Sequence, residues 1–181
     1  MKLVVLDRDG VINRDSRDFI RSVGEWQPLP GSLRAIARLT RAGWTVVVAT
    51  NQSGIARGHL SLDELERIHE RMRAAAEGAG GRIDAVFFCP HGPADGCDCR
   101  KPAPGLFGQI EAHYGVSVKD VPAVGDSVRD VEAARAAGAR PILVLTGNGL
   151  RAQAALQGER APECYADLDA VSRALVGEEA G

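Results

Sequence analysis

Residues 3–13 read Leu3-Val4-Val5-Leu6-Asp7-Arg8-Asp9-Gly10-Val11-Ile12-Asn13. An apolar run from Leu3 to Leu6 without alternation describes a strand buried on both faces, as in a parallel sheet. The run ends on Asp7-Arg8-Asp9-Gly10. Two carboxylates at i and i+2, directly after a buried strand, are costly to place unless they meet a cation. Oxygens of this kind suit a hard divalent ion such as Mg²⁺. Asp and Gly also make ordinary turns, so the pattern gains meaning from what recurs further along the chain.

It recurs twice. Val46 to Val48 form a second buried run ending on Thr50-Asn51-Gln52-Ser53-Gly54, and Val121 to Val124 run into Gly125-Asp126-Ser127-Val128-Arg129-Asp130. Two further runs, Val86 to Phe88 and Ile142 to Leu145, bring the expected strands to five. Helical spacing separates them: Leu33, Ile36, Ala37 and Leu39 ahead of Gly43; Leu62, Leu65, Ile68 and Met72 behind a Ser61/Glu64 capping box; Leu106, Ile110 and Tyr114 stopped by Gly115; an Ala-rich stretch over 128–137; and a closing helix near 168–176. Strands alternating with helices imply a three-layer α/β/α parallel sheet. Ligands bind such sheets beyond the carboxyl ends of the strands, so the three polar ends are expected to converge on one site.

The irregular stretch from Cys89 to Pro104 carries its own chemistry. Cys89, His91, Cys97 and Cys99 form the pattern C-x-H-x₅-C-x-C, three thiolates and an imidazole, a full tetrahedral set for structural Zn²⁺. Such a closed site serves to fold the loop, about residues 89–102, that presents Arg100 and Lys101. Cys164 stands apart and is expected to be a buried apolar thiol. His59, His69 and His113 read as surface residues, and Trp26 and Trp44 as packing.

Composition excludes several classes. The chain has 181 residues with 22 basic and 24 acidic side chains, net charge −2 and no block of like charge, which argues against a nucleic-acid surface. No apolar run approaches the ~20 residues a membrane span needs. The opening MKLVVLDRDG is charged where a signal peptide stays apolar, so the expectation is one cytoplasmic, monomeric domain over residues 1–181.

The order of the four polar clusters, Asp7/Asp9, Thr50, Lys101 and Asp126/Asp130, resembles the haloacid dehalogenase (HAD) superfamily of aspartate-dependent phosphatases. DRDGVIN, TNQSGIARG, the Cys/His loop and RKPAPG together are similar to its capless histidinol-phosphate and heptose-bisphosphate phosphatases. The resemblance implies a Rossmann-like HAD fold without a cap, catalytic Mg²⁺ and a small sugar bisphosphate as partner. The implied reaction is loss of the 7-phosphate of a heptose 1,7-bisphosphate, in lipopolysaccharide-core or S-layer sugar synthesis. Asp7 is then the nucleophile and Asp9 the general acid and base, with Thr50 and Lys101 holding phosphoryl oxygens. Asp7, Asp9 (through its main-chain carbonyl) and Asp126 bind Mg²⁺, and Asp130 orients Lys101 or water. Asp15, Ser16, Arg17, Asp18, Asn51, Gln52, Ser53 and Arg100 contact substrate, while Arg17, Arg57 and Arg100 offer cations to a second phosphate.

The family's His-Gly-Tyr run is missing after the first motif, and Ser127 stands where some members carry Lys. A histidinol-phosphatase or other small phosphate monoesterase, and a zinc-stabilised phosphosugar-binding module, remain the alternatives.

Overall fold

A computed structural model describes residues 1–158 and 161–177. Its strands are β1 (Lys2–Leu6), β2 (Trp44–Asn51), β3 (Ala85–Cys89), β4 (Pro122–Gly125), β5 (Arg140–Val144) and β6 (Glu163–Tyr165). Its helices are α1 (Ser32–Arg41), α2 (Leu62–Gly78), α3 (Gly105–Tyr114), α4 (Val128–Ala136), α5 (Gly149–Ala155) and α6 (Leu168–Val176), with one 3₁₀ turn at Val23–Glu25. All strand pairs are parallel, in the order β3-β2-β1-β4-β5-β6. This is the Rossmann-like, three-layer HAD sheet that the sequence predicts. The order reverses between β1 and β4, which opens a crevice at their carboxyl ends.

Strand alternation divides the core. Val4, Leu6, Val46 and Val48 pack under α1, α2 and α6, against Ile36, Leu39, Leu65, Ile68, Met72 and Val171. Leu3, Val5, Val47 and Ala49 face α3 and α4, against Leu106, Phe107, Ile110, Ala133 and Ala134. Leu143 continues that second face towards α5, with Val131, Ala152 and Leu156. Each buried Val, Leu, Ile, Phe or Met among them contributes about 1.5–3 kcal/mol by leaving water. Neither long loop of the catalytic end, 7–31 or 90–104, folds into a cap; among the described residues the only helical turn within them is Val23–Glu25.

Several expectations need correction. Among the described residues the sheet has six strands where five were expected, the sixth a three-residue edge strand, and α5 was not foreseen. Ser61 Oγ accepts from the Glu64 N–H at 3.1 Å, but the reciprocal half of that capping box is replaced: Glu64 Oε1 accepts from the Val23 N–H at 3.3 Å. The carboxylate thus ties α2 to the loop after β1. Cys164 is half-buried on the edge strand, with Gln153 Nε2 at 3.5 Å. His59 and His113 are exposed as expected, whereas His69 is 1% exposed. Trp26 and Trp44 pack against the core.

Candidate active site

Backbone geometry brings the polar strand ends together. The Asp7 N–H donates to Val124 O at 2.8 Å, joining the ends of β1 and β4. Beyond them lies a cleft of about 340 Å³ whose floor includes Asp7, Asp9, Thr50, Lys101, Asp126 and Asp130. Gly10, at φ +81°, and Gly147, at φ +56°, allow the close approach. A Cβ on either would stand 2.0–2.1 Å from Asp126 Oδ2.

Lys101 is the pivot of this floor. Its Nζ is buried and donates to Asp130 Oδ1 at 2.6 Å and to Ala49 O at 2.9 Å, with Asp7 Oδ1 at 3.0 Å. Asn51 holds the peptide above it: Nδ2 donates to Lys101 O and Oδ1 accepts from the Lys101 N–H, both at 3.0 Å. Asp130 is fixed in turn by a capping box with Ser127 at the start of α4. Ser127, the departure from the family pattern, therefore serves as an N-cap that orients Asp130. Burial alone would lower the Lys101 pKa, but Asp130 and Asp7 reverse that and raise it. Burial likewise opposes ionisation of Asp130, and Lys101 with Ser127 outweighs it, leaving its pKa lowered.

Asp7 and Asp126 are shifted the other way. Burial pushes the Asp7 carboxyl up to about 8, against the pull of Lys101 and aided by Asp130, Asp126 and Asp9. Burial and Asp130 raise Asp126 to about 7, even though Asn148 donates to its Oδ2 from the main chain at 2.8 Å and from Nδ2 at 3.2 Å. One oxygen each from Asp7, Asp126 and Asp130 lie within 4.8 Å of one another. Three crowded carboxylates with one cation among them form a donor set that fits a hard divalent ion.

A carboxyl with a higher pKa folded than unfolded binds protons preferentially in the fold, so its contribution to stability falls as pH rises from about 4 to about 7 and stays low above. Asp126→Asn should therefore melt higher than the parent at pH 8 in metal-free buffer. The same variant should lose the rise in Tm that Mg²⁺ gives the parent. A variant that melts lower than the parent at pH 8, or still gains from Mg²⁺, would contradict this account.

Asp9 points away from that trio. Its Oδ1 accepts from Arg8 Nε at 3.0 Å and Asn13 Nδ2 at 2.8 Å, and its Oδ2 from Arg8 Nη2 at 3.1 Å and Gln52 Nε2 at 3.0 Å. Burial would raise its pKa, but the Arg8 charge and these bonds overcome it and hold the carboxyl below the usual range. Gln52 Nε2 also donates to Thr50 Oγ1 at 3.0 Å. Asn51 and Gln52 line the cleft as expected, with their amides also bonded within the protein.

The rim differs from expectation in one direction. Asp15, Ser16, Ser53, Arg57 and Arg100 line the cleft, whereas Arg17 and Asp18 do not. Phe19 adopts φ +65°, uncommon for a bulky residue, and the chain turns there so that Phe19 and Ile20 reach the cleft instead. Arg17 lines a neighbouring shallow groove with Arg14 and Leu29. Arg129, which sequence reasoning passed over, joins Arg57 and Arg100 on the rim. Burial and the neighbouring Arg129 and Arg57 charges lower the Arg100 pKa against the opposing pull of Cys89 and Cys97.

The Cys/His loop closes as expected. Cys89 Sγ lies 3.6 Å from Cys97 Sγ and 3.0 Å from Cys99 Sγ, and His91 Nδ1 lies 3.5 Å from Cys89 Sγ and 3.3 Å from Cys99 Sγ. All four donor atoms converge within 4.8 Å, a set that fits tetrahedral zinc. Because the last ligand, Cys99, precedes Lys101 by two residues, the loop couples metal to active site. Cys97→Ser should remove most zinc from the purified protein and lower Tm by about 4–8 °C, the equivalent of ~2 kcal/mol for a chain this long. Elemental analysis with a thermal melt checks this; full zinc content in the variant would contradict it.

Comparison with known proteins agrees with this geometry. A family model described as HAD-hydrolase-like matches residues 98–171. The D-glycero-beta-D-manno-heptose-1,7-bisphosphate 7-phosphatase of Bordetella bronchiseptica is 55% identical over 181 residues, covering 98% of this chain and 99% of its own. That of Pseudomonas aeruginosa is 53% identical over 177 residues, 96% of this chain and 97% of its own. The crystal structure of D,D-heptose 1,7-bisphosphate phosphatase from B. bronchiseptica, complexed with magnesium and phosphate, matches with a TM-score of 0.94 at 53% identity, covering 99% of this chain and all of that one (100%). Identity above half, over almost the full length of both chains, joins the Asp7/Lys101 floor and the Cys/His loop to one lineage: the chain belongs to the heptose-1,7-bisphosphate 7-phosphatase family of HAD-like hydrolases.

Proposed function

We propose that this chain removes the 7-phosphate of D-glycero-beta-D-manno-heptose 1,7-bisphosphate through an aspartyl phosphate on Asp7. The observation that carries the substrate is the placement of Arg57, Arg100 and Arg129 on the rim of the cleft that holds Asp7. One phosphate reaches the floor and the other meets these cations, whereas histidinol phosphate would bring a cationic ammonium to a cationic rim. The family membership supports the same choice.

Asp7 Oδ1 already accepts from the Arg8 N–H at 2.8 Å and faces Lys101 Nζ at 3.0 Å, which leaves Oδ2 to attack phosphorus. The P–O bond to the sugar breaks as Asp9, once it has left the Arg8 clamp with a proton, delivers that proton to the leaving alkoxide. Water then attacks phosphorus and passes its proton to Asp9, the bond to Asp7 Oδ2 breaks, and phosphate leaves. Lys101 and Thr50 hold the phosphoryl oxygens as charge builds on them. Mg²⁺, held by Asp7, Asp126 and the Asp9 main-chain carbonyl, would offset the repulsion between phosphate and the carboxylate nucleophile. Asp130 acts by orienting Lys101. Asp15, Ser16, Asn51, Gln52, Ser53 and Arg100 are the expected substrate contacts that line the cleft; Arg17 and Asp18 are withdrawn from that set in favour of Arg57 and Arg129.

The zinc loop at about 89–102 belongs to a single catalytic domain over residues 1–181, of which 159–160 and 178–181 lie outside the described residues. No helix among the described residues is long and apolar enough to cross a membrane, and we propose a cytoplasmic monomer.

Heptose 1,7-bisphosphate should be hydrolysed with a kcat/KM at least ~100-fold above histidinol phosphate, a gap of about 2.7 kcal/mol. One additional charge-assisted phosphate contact, worth about 1.5–3 kcal/mol, is enough to supply it. Side-by-side phosphate release with Mg²⁺ checks this. Equal or reversed efficiencies would transfer the assignment to the histidinol-phosphatase reading, and no release from either would favour a binding module.

A further inference from the structure

Arg8 stands between the two aspartates, yet its side chain is fully buried (0% exposed). It lies on the α1/α2 side of the sheet, opposite Asp7. Its guanidinium has acceptors on every nitrogen: Nε and Nη2 donate to the two Asp9 oxygens at 3.0 and 3.1 Å, Nη2 also to Gln52 Oε1 at 3.2 Å, and Nη1 meets His69 Nε2 at 3.3 Å. A guanidinium can only donate, so His69 must offer a lone pair on Nε2 and carry its proton on Nδ1. The ring comes from the middle of α2, 61 residues away in sequence, and no step of the reaction described above uses it. Burial and the neighbouring Arg8 and Arg73 charges push its pKa down to about 3, so it remains a neutral acceptor. Phe88 supports one side of the ring at a centroid distance of 5.9 Å.

A two-bond fork on a carboxylate works only when guanidinium and carboxylate share a plane. Gln52 and the Asp9 pair restrain the Nε/Nη2 edge, and His69 restrains the opposite corner, Nη1. Without that acceptor Nη1 becomes a buried unsatisfied donor, and the guanidinium must turn to find another partner. The edge that receives Asp9 turns with it.

We propose that His69 is a positioning residue for Asp9, acting through Arg8: it fixes the plane of the guanidinium and thereby the place to which the Asp9 carboxylate returns between proton transfers. The proposal rests on the acid–base reading of Asp9 given above. It predicts a loss confined to the steps in which Asp9 gives or takes a proton, departure of the leaving group and hydrolysis of the phosphoenzyme, which a general weakening of the core would not produce.

The test compares steady-state turnover of heptose 1,7-bisphosphate, whose alkoxide needs a proton, with the pre-steady-state burst from an activated aryl phosphate, which hardly does. His69→Met fills the space without a good acceptor, and His69→Gln can present an oxygen near the Nε2 position. His69→Met should lose about tenfold more on the sugar phosphate than on the aryl phosphate burst, the scale of one lost bond to a charged group. His69→Gln should regain most of that selective loss. In an Asp9→Asn background, His69→Met should leave the ratio between the two substrates unchanged.

Equal losses on both substrates, or a His69→Gln variant as selective in its loss as His69→Met, would overturn the positioning role. If Asp9→Asn alone shows no selective loss, the acid role of Asp9 fails, and the proposal falls with it. If Asp9→Asn is selective and His69→Met is not, the positioning role alone fails. Should His69→Met not fold, His69→Asn, polar but too short to reach Nη1, takes its place with the same expected loss.

Discussion

Asp7→Asn should fold, keep its zinc and lose turnover by at least ~10⁴-fold, because a neutral amide cannot form the phosphoryl bond on which both halves of the reaction depend. The change is nearly isosteric, and the Oδ1 that accepts from the Arg8 N–H and faces Lys101 is preserved in kind. Since burial holds the Asp7 carboxyl well above its ordinary pKa, removing its charge relieves strain in the floor. The metal-free variant should therefore melt no lower than the parent at pH 8. Acid-quench labelling with ³²P-phosphorylated substrate should trap a phosphoenzyme in the parent and none in the variant. Residual turnover above one part in ~10³, or a labelled variant, would place the nucleophile elsewhere.

The second large effect belongs to Lys101. Replacing it by Met strips Asp7 and Asp130 of their buried counter-charge and leaves Asp126 crowded against them. Catalysis should fall by ~10²–10³-fold at the least, the usual cost of removing one preorganised donor from a developing phosphoryl charge. Stability should fall as well, by about 3–5 kcal/mol, since breaking a buried pair leaves its partner uncompensated. The sign of the pH dependence follows from the partners. Without Lys101 the Asp7 and Asp130 carboxyls rise further, and protonation in acid relieves them, so the deficit in Tm should be larger at pH 8 than at pH 5.5. A deficit that grows towards acid would mean that Lys101 is held by something other than these carboxylates.

The floor of the site was legible from sequence because its chemistry is attached to strand ends. Asp7, Thr50 and Asp126 each terminate an apolar run, and parallel packing brings such termini together whatever lies between them. The Cys/His loop was legible because four soft donors in eleven residues have few other uses. Rim residues depend on loop geometry, which periodicity does not encode. Arg17 and Asp18 lie outside the cleft just ahead of the left-handed turn at Phe19, and Arg129 lines it from the first turn of α4, behind the Ser127/Asp130 cap. The edge strand at Glu163–Tyr165 is three residues long and half-polar, too short to leave a pattern.

His69 is a different case, since the signal was present. Leu65, Ile68, Met72 and Ala76 mark the buried stripe of α2, and His69, four residues after Leu65, falls inside it. A polar residue within an apolar stripe calls for a partner, and its charge partner was already visible in the motif after β1.

The alternation of β1 also has a bearing on how the enzyme can change. Asp7 looks towards the layer of α3 and α4, where Lys101 and Asp130 wait, and Arg8 looks towards the layer of α2, where His69 waits. Attack on phosphorus and traffic of protons are thus mounted largely on opposite slices of the molecule, joined through β1 and through Gln52, whose Nε2 donates to both Asp9 and Thr50. A population drifting by mutation can soften or stiffen one slice while the other goes on working unaltered. Substrates with easier or harder leaving groups then become accessible by repacking beneath α2, with the nucleophile and its lysine left as they are.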